Sequence, residues 1–211
     1  MDLRFLARLA RFDAQALVRI RPAGPNQVAL WGTLPWGVLV TRTTQGFISA
    51  DRTFAVAELL AGAEHPRVRD SEWRWALPSA AAESVEVLPA QVVRDIARAA
   101  AETLRQASTD GVGGQAVGSR RLRDALLDHV AVTVTVDAAD WSGRPIEVPQ
   151  RLVQAVTRMG LLDDEDVDPA TRDVTATAEG VDVLVSGPWI GLSAAGGIAW
   201  YRPSAPTLRP L

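Results

Sequence analysis

The sequence predicts an α+β fold of antiparallel meander sheets with helices packed on one face, and three observations predict it. Two apolar runs, Val28 to Val40 and Val183 to Leu192, are each broken by glycine, proline and tryptophan, at Gly32, Pro35 and Trp36 and at Gly187, Pro188 and Trp189. Each reads as a strand turning into the next, because glycine and proline punctuate residues that suit a pleated, half-buried surface. Stretches of helical periodicity are interspersed with these runs. Finally, the two ends share the order helix, strand, strand, turn, strand. Residues 3–45 and 150–198 therefore read either as two related α-β-β-β halves, packed about a pseudo-twofold axis, or as a coincidence of turn chemistry.

Met1 to Phe12 reads as a helix with Arg4, Arg8 and Arg11 on a narrow stripe and Phe5, Leu6, Leu9, Ala10 and Phe12 opposite. A helix packed on a sheet shows this pattern, which is preferred to a membrane-surface or partner-binding helix. Strands follow at Ala16 to Arg21, Gln27 to Trp31 and Gly37 to Thr43, with Trp31 and Trp36 flanking a four-residue loop and facing each other. Ser49 or Asp51 caps a short helix that runs through Leu60 and stops at Gly62. From Arg67 to Leu77 the alternation of Arg67, Arg69, Trp73 and Trp75 with acidic and small residues reads as an amphipathic edge strand or strand pair.

Ser84 to Leu88 is a brief strand, and Pro89 opens a helix to about Ala107 with Val92, Val93, Ile96, Ala100 and Leu104 on one side. The glycine-rich segment Thr109 to Gly118 reads as a flexible connection. Ser119 caps a helix to Asp128, Val130 to Val136 is a β-branched strand, and Pro149 opens a helix bearing Leu152, Val153, Val156 and Met159. Strands are expected at Asp173 to Thr177, Val181 to Val185, Trp189 to Ser193 and Ile198 to Arg202. The expected organisation is an N-terminal α+β half over 1–110, a C-terminal α+β half over 119–200, the two able to form one continuous domain, and a loose tail over 201–211.

Composition excludes several chemistries. All 22 basic residues are arginine, cysteine is absent, and there are two histidines. A chain without lysine offers no Schiff base or phosphate-binding lysine, and one without cysteine offers no thiol nucleophile, disulfide or cysteine-held zinc. Arginine-only usage beside abundant alanine, glycine, proline and valine points to GC-rich coding and a bacterial source. No unbroken apolar stretch serves as a signal peptide or a membrane span, so the expected location is cytoplasmic. A net charge of -3 advertises no attraction to nucleic acid or anionic lipid.

Motifs add little chemistry. Gly113 to Ser119 has the glycine spacing of a phosphate-cradling loop, but it follows a helix and lacks the lysine, leaving Arg120 as a poor stand-in. Gly191-Leu-Ser193-Ala-Ala195 has the spacing of a nucleophile elbow, yet a hairpin follows where a helix is required. His129 sits at a helix end and His65 precedes a proline in a loop; neither has a local carboxylate to orient it. Asp164, Asp166 and Asp168 alternate as a calcium loop does, but Pro169 replaces the needed glycine and Thr175 the needed glutamate. No cofactor and no metal site are expected.

Two patches remain. Arg67, Arg69, Trp73 and Trp75 combine the residue types enriched at binding hot spots, and are the candidate site for a protein partner. Arg120, Arg121 and Arg123 form a compact positive patch at a helix start, a weaker candidate for an anion. The leading functional reading is a non-catalytic cytoplasmic protein acting through protein–protein binding or self-association. The alternatives are an enzyme whose carboxylates and arginines converge only in three dimensions, and a nucleic-acid regulator using Arg120 to Arg123.

Overall fold

The computed structural model describes residues 2–110, 119–135, 145–162 and 180–203. In chain order these form α1 (Leu3–Phe12), β1 (Leu17–Gly24), β2 (Gln27–Leu34), β3 (Val38–Gln45), β4 (Arg52–Ala55), α2 (Val56–Leu60), a single 3-10 turn (Asp70–Glu72) and β5 (Glu83–Pro89). There follow α3 (Ala90–Asp110), α4 (Ser119–Asp128), β6 (Val130–Val134), β7 (Ile146–Pro149), α5 (Gln150–Arg158), β8 (Gly180–Ser186), β9 (Trp189–Ala194) and β10 (Gly197–Tyr201).

The fold is α+β, and its framework is one eight-stranded sheet in the order β4-β1-β2-β3-β10-β9-β8-β5, with β6 and β7 pairing separately as a ribbon. Every pairing in both sheets is antiparallel. The order mirrors itself about its centre. The meander β1-β2-β3 meets the meander β10-β9-β8 where β3 pairs with β10, Val40 opposite Ala199 and Leu39 opposite Trp200. Each meander is preceded by a helix, α1 or α5, and each is flanked by one more strand, β4 or β5. The helix-strand-strand-strand order read at both ends of the sequence is thus laid out symmetrically in the sheet.

Alternation along each strand separates two faces. One face carries Val18, Ile20, Leu30, Leu34, Val38, Val40, Val183, Leu192 and Ala199, packed with Phe5, Leu6 and Leu9 of α1 and Leu152, Val153 and Val156 of α5 in the main core. Gly32 of β2 leaves room on this face for Leu9, whose Cγ would lie 3.2 Å from an added Cβ. The outer face carries a second cluster of Leu39, Trp189 and Trp200, joined by Trp31, Leu184 and Ile198. Trp200 lies over Gly191 of the neighbouring strand, where a Cβ would come within 2.7 Å of the indole.

Asp2 fastens α1 in two ways. Its Oδ1 accepts the Phe5 N–H at 2.9 Å as an N-cap, and its Oδ2 lies 2.9 Å from Nε of Arg42, which is 4% exposed. Burial holds the Arg42 guanidinium below its ordinary pKa, opposed by the Asp2 charge. Arg8 reaches from α1 to donate to the Met159 carbonyl at 2.6 Å, tying α1 to the end of α5.

Several expectations need correction. The loop of the first hairpin is Pro35 to Gly37, not Gly32 to Pro35: Leu34 pairs with Val38, and Gly37 takes a φ of 79° and donates to the Leu34 carbonyl. Trp31 and Trp36 therefore do not face each other; Trp31 joins the outer cluster while Trp36 packs against the main core. Asp51 caps no helix. It pairs with Arg19 and Arg21, Arg52–Ala55 is a strand beside β1, and only Val56–Leu60 is helical.

Arg67 to Leu77 is not a strand but an irregular segment with one 3-10 turn. Pro89 ends β5, the helix after it reaches Asp110, and β7 had no expected counterpart. Tyr201 closes β10, within the strand expected at Ile198 to Arg202. The Gly113 to Gly118 glycines, the Asp163 to Asp168 run, the strand expected at Asp173 to Thr177 and residues 204–211 lie outside the described residues. Among the described residues, no helix is long and apolar enough to cross a membrane.

Asp2→Ala should destabilise the protein by about 3 kcal/mol, because it removes both a cap and the carboxylate facing a buried arginine. Asp2→Asn keeps the cap, and its loss should be smaller by about 1 kcal/mol. Urea denaturation of the two variants checks this, and equal losses would remove the capping role.

Candidate binding surface

Strands β4 and β5 follow one another in sequence yet lie at opposite edges of the sheet, so residues 61–82 must cross it. They cross the outer face as a strap. At the β4 edge Arg69 N–H donates to the Thr53 carbonyl at 2.8 Å, and Asp70 Oδ1 accepts the Thr53 N–H at 2.6 Å. Both backbone groups of Thr53 are thereby satisfied, which blunts an edge that would otherwise invite pairing. Midway, Trp73 and Leu77 pack onto the outer cluster of Leu39, Trp189 and Trp200. At the far side Ser186 Oγ donates to the Ser79 carbonyl at 3.3 Å, just before β5 begins.

Charge fixes the near end. Glu58 of α2 accepts the Arg67 N–H at 2.7 Å and Nη2 of Arg69 at 3.1 Å. These bonds hold the Glu58 carboxyl below its ordinary pKa, the Arg67 amide contributing most. Arg69 also faces Glu72 at 3.3 Å, and its guanidinium pKa is raised, first by Glu58 and then by Glu72. Beneath the strap Arg19 and Arg21 converge on Asp51 at 2.7 and 2.9 Å. The hydrogen bond from Arg19 is the main cause that lowers the Asp51 pKa, with burial opposing it. The Arg19 guanidinium lies 6.0 Å from the centroid of Trp73, within cation–π range.

The four residues singled out in this segment divide into two roles. Arg69 and Trp73 are half-buried and occupied with the fold. Arg67 is exposed, and Trp75 is 38% exposed with its carbonyl fixed by the Trp73 indole N–H at 2.7 Å. Beside them Val68 is 49% exposed. Phe47, in the loop after β3, is 84% exposed and was missed by sequence reasoning, though a phenylalanine straight after Gln45-Gly46 was a visible signal.

On the opposite face Arg123 lines a cleft with Arg11 and Arg158, while the side chains of Arg120 and Arg121 lie outside the described residues. Ser193 sits buried inside β9, which is followed by β10, and His129 directly follows α4 with its carbonyl bonded to Gln150 N–H at 2.8 Å. Among the described residues no three His, Cys, Asp or Glu side chains are grouped to hold a metal ion.

Because Glu58 and Asp51 have lowered folded pKa values, their contribution to stability is full above the ordinary carboxylate range of about 4 and is lost as pH falls through the folded values. Urea midpoints should therefore drop between about pH 5 and pH 3. The drop should shrink in Glu58→Gln and in Asp51→Asn; a drop of unchanged size in both would place the acid-sensitive contacts elsewhere.

Comparison with known proteins bears on the fold. The chain is similar to the DNA polymerase sliding clamp of Caulobacter crescentus, with 10% identity and a TM-score of 0.50 over 97% of this chain and 64% of that one. It is similar to the sliding clamp (DNA polymerase III subunit beta) of Bartonella birtlesii bound to griselimycin, with 12% identity and a TM-score of 0.50 over 98% and 63% of the two chains. The DNA polymerase III beta chain of Streptococcus pneumoniae TIGR4 gives 8% identity and a TM-score of 0.50 over 98% and 63%. At such identities the likeness is one of fold, and the chain spans less than two thirds of the length of these clamps. No curated protein matches the sequence. A model described as a domain of unknown function (DUF8010) matches residues 2–84. A second, described as a domain of unknown function (DUF8185), matches residues 77–206, more than half of the chain, which therefore belongs to the DUF8185 family.

Proposed function

We propose that this is a non-catalytic protein of the bacterial cytoplasm that binds another protein, or a second copy of itself, through the strap. Arg67 and Trp75 make the contact, and Arg69 and Trp73 hold them in place. The observation that carries this reading is the combination of exposure and restraint. Trp75 and Val68 present apolar surface on a segment whose backbone is pinned at Glu58, Thr53, Asp70 and Ser186. A surface ordered before contact loses little conformational freedom on binding, and tryptophan and arginine supply large contact area per residue. The similar clamp of Bartonella birtlesii is a subunit of DNA polymerase III, and this likeness of fold supports a binding role.

Arg69 is a poor choice for testing the surface, since its loss would free the strap. Arg67→Ala with Trp75→Ala should leave the thermal midpoint within a few degrees of the parent. It should weaken a partner recovered from extract of the source organism, or the self-association seen by sedimentation, by about thirtyfold or more, the effect of truncating a hot-spot residue. Undiminished binding in a folded double variant would contradict the assignment.

A further inference from the structure

The helix face carries a second and independent feature, a cleft of about 760 Å³ where α1, α3, α4, α5 and the β2–β3 turn meet. Its volume lies in the range of small-molecule sites, roughly 300–1,000 Å³. One wall is aromatic and rigid: Phe12 and Trp36 meet edge to face at 5.2 Å and 88°, and the Trp36 indole N–H donates to the Arg151 carbonyl at 3.3 Å. The remaining apolar lining comes from Leu104, Leu126 and Leu127 with two alanines of α3.

Three arginines, Arg11, Arg123 and Arg158, and one acid, Asp124, also line the cleft. The side chains of Arg11 and Arg123 form no hydrogen bond or ion pair with any described residue. Arg158 lies 5.9 Å from the Trp36 ring centroid and donates from Nε to Gln154 at 3.0 Å, which leaves its two Nη groups without a described partner. Arg19, Arg52, Arg69 and Arg98, by contrast, are each matched to a carboxylate. Here three arginines share the lining of a concave, largely apolar surface with a single acid.

We propose that this cleft binds a small amphiphilic anion, an aromatic or aliphatic body bearing one carboxylate or phosphate group. Arg11, Arg123 and Arg158 hold the head through charge-assisted hydrogen bonds, and the body lies against Trp36, Phe12 and Leu127. The site is on the opposite face of the sheet from the strap, so it stands or falls separately from the protein-binding role.

The test titrates the full chain with two fluorescent probes of similar shape, anionic anilinonaphthalene sulfonate and neutral N-phenylnaphthylamine. The sulfonate should bind saturably. Its affinity should fall about tenfold in Arg123→Gln and about a hundredfold in Arg11→Gln/Arg123→Gln, as expected for losing one and two hydrogen bonds to a charged group. The neutral probe should change less than about twofold in the same variants, since apolar contact is unaltered. Ala101→Trp, which fills the cleft from an exposed position of α3, should abolish both. Displacement of the sulfonate by laurate or by phenyl phosphate then identifies the head as carboxylate or phosphate. Equal sulfonate affinity in the arginine variants, or displacement by neither competitor, would overturn the proposal.

Discussion

One topological constraint governs the molecule: strands that are neighbours in sequence, β4 and β5, are as far apart in the sheet as its eight strands allow. Seven interstrand steps of about 4.8 Å make a crossing of roughly 34 Å. That span needs at least about ten extended residues, and residues 61–82 supply about twice as many. The excess length must be placed somewhere. It forms the 3-10 turn at Asp70–Glu72, the contacts with Glu58 and the approach of Trp73 and Leu77 to the outer cluster. A loop of this length that fastens itself at both edges is ordered backbone with exposed side chains, which gives the outer face its character.

The two faces of the sheet are consequently covered in different ways. Helices cover one through continuous apolar stripes, with Phe5, Leu6 and Leu9 from α1 answered by Leu152, Val153 and Val156 from α5. The strap covers the other with Trp73 and Leu77 as its apolar anchors, so much of that surface keeps its polar and charged groups. The centre of the sheet links the two. At the β3–β10 seam Leu39 and Trp200 point to the strap side, while Val38, Val40 and Ala199 point to the helices. A change at this seam is felt on both faces, and the symmetry of the two meanders places it midway between the edges that the strap joins.

The strands were legible where alternation and turn residues agreed, as in Gln27 to Thr43 and Val181 to Arg202, because both signals are local. The strap was misread for a specific reason. Alternation of large residues at every second position matched a strand, but the residues turned inward are Arg69, Trp73 and Leu77, spaced by four, while Arg67 and Trp75 stay outside. Asp51 had the sequence context of a helix cap, yet its partners Arg19 and Arg21 lie some thirty residues earlier, beyond any local pattern. The arginine-rich cleft shows the same limit: Arg11, Arg123 and Arg158 come from three separate helices, and only packing brings them together. Of that set, Arg123 drew notice in the sequence as an anion contact, through its neighbours Arg120 and Arg121, and Arg11 only as part of the arginine stripe of the first helix.

The account rests on the strap being part of the folded structure and not a loop resting beside it. Amide hydrogen exchange resolved by residue is the direct measurement. Arg69 and Thr53, whose N–H groups bond across the strap–edge junction, should exchange about as slowly as Val56, whose N–H bonds to the Ala16 carbonyl beside β1. Exchange of Arg69 at the rate of a free chain, with Val56 still protected, would show that the strap does not hold and would contradict the account.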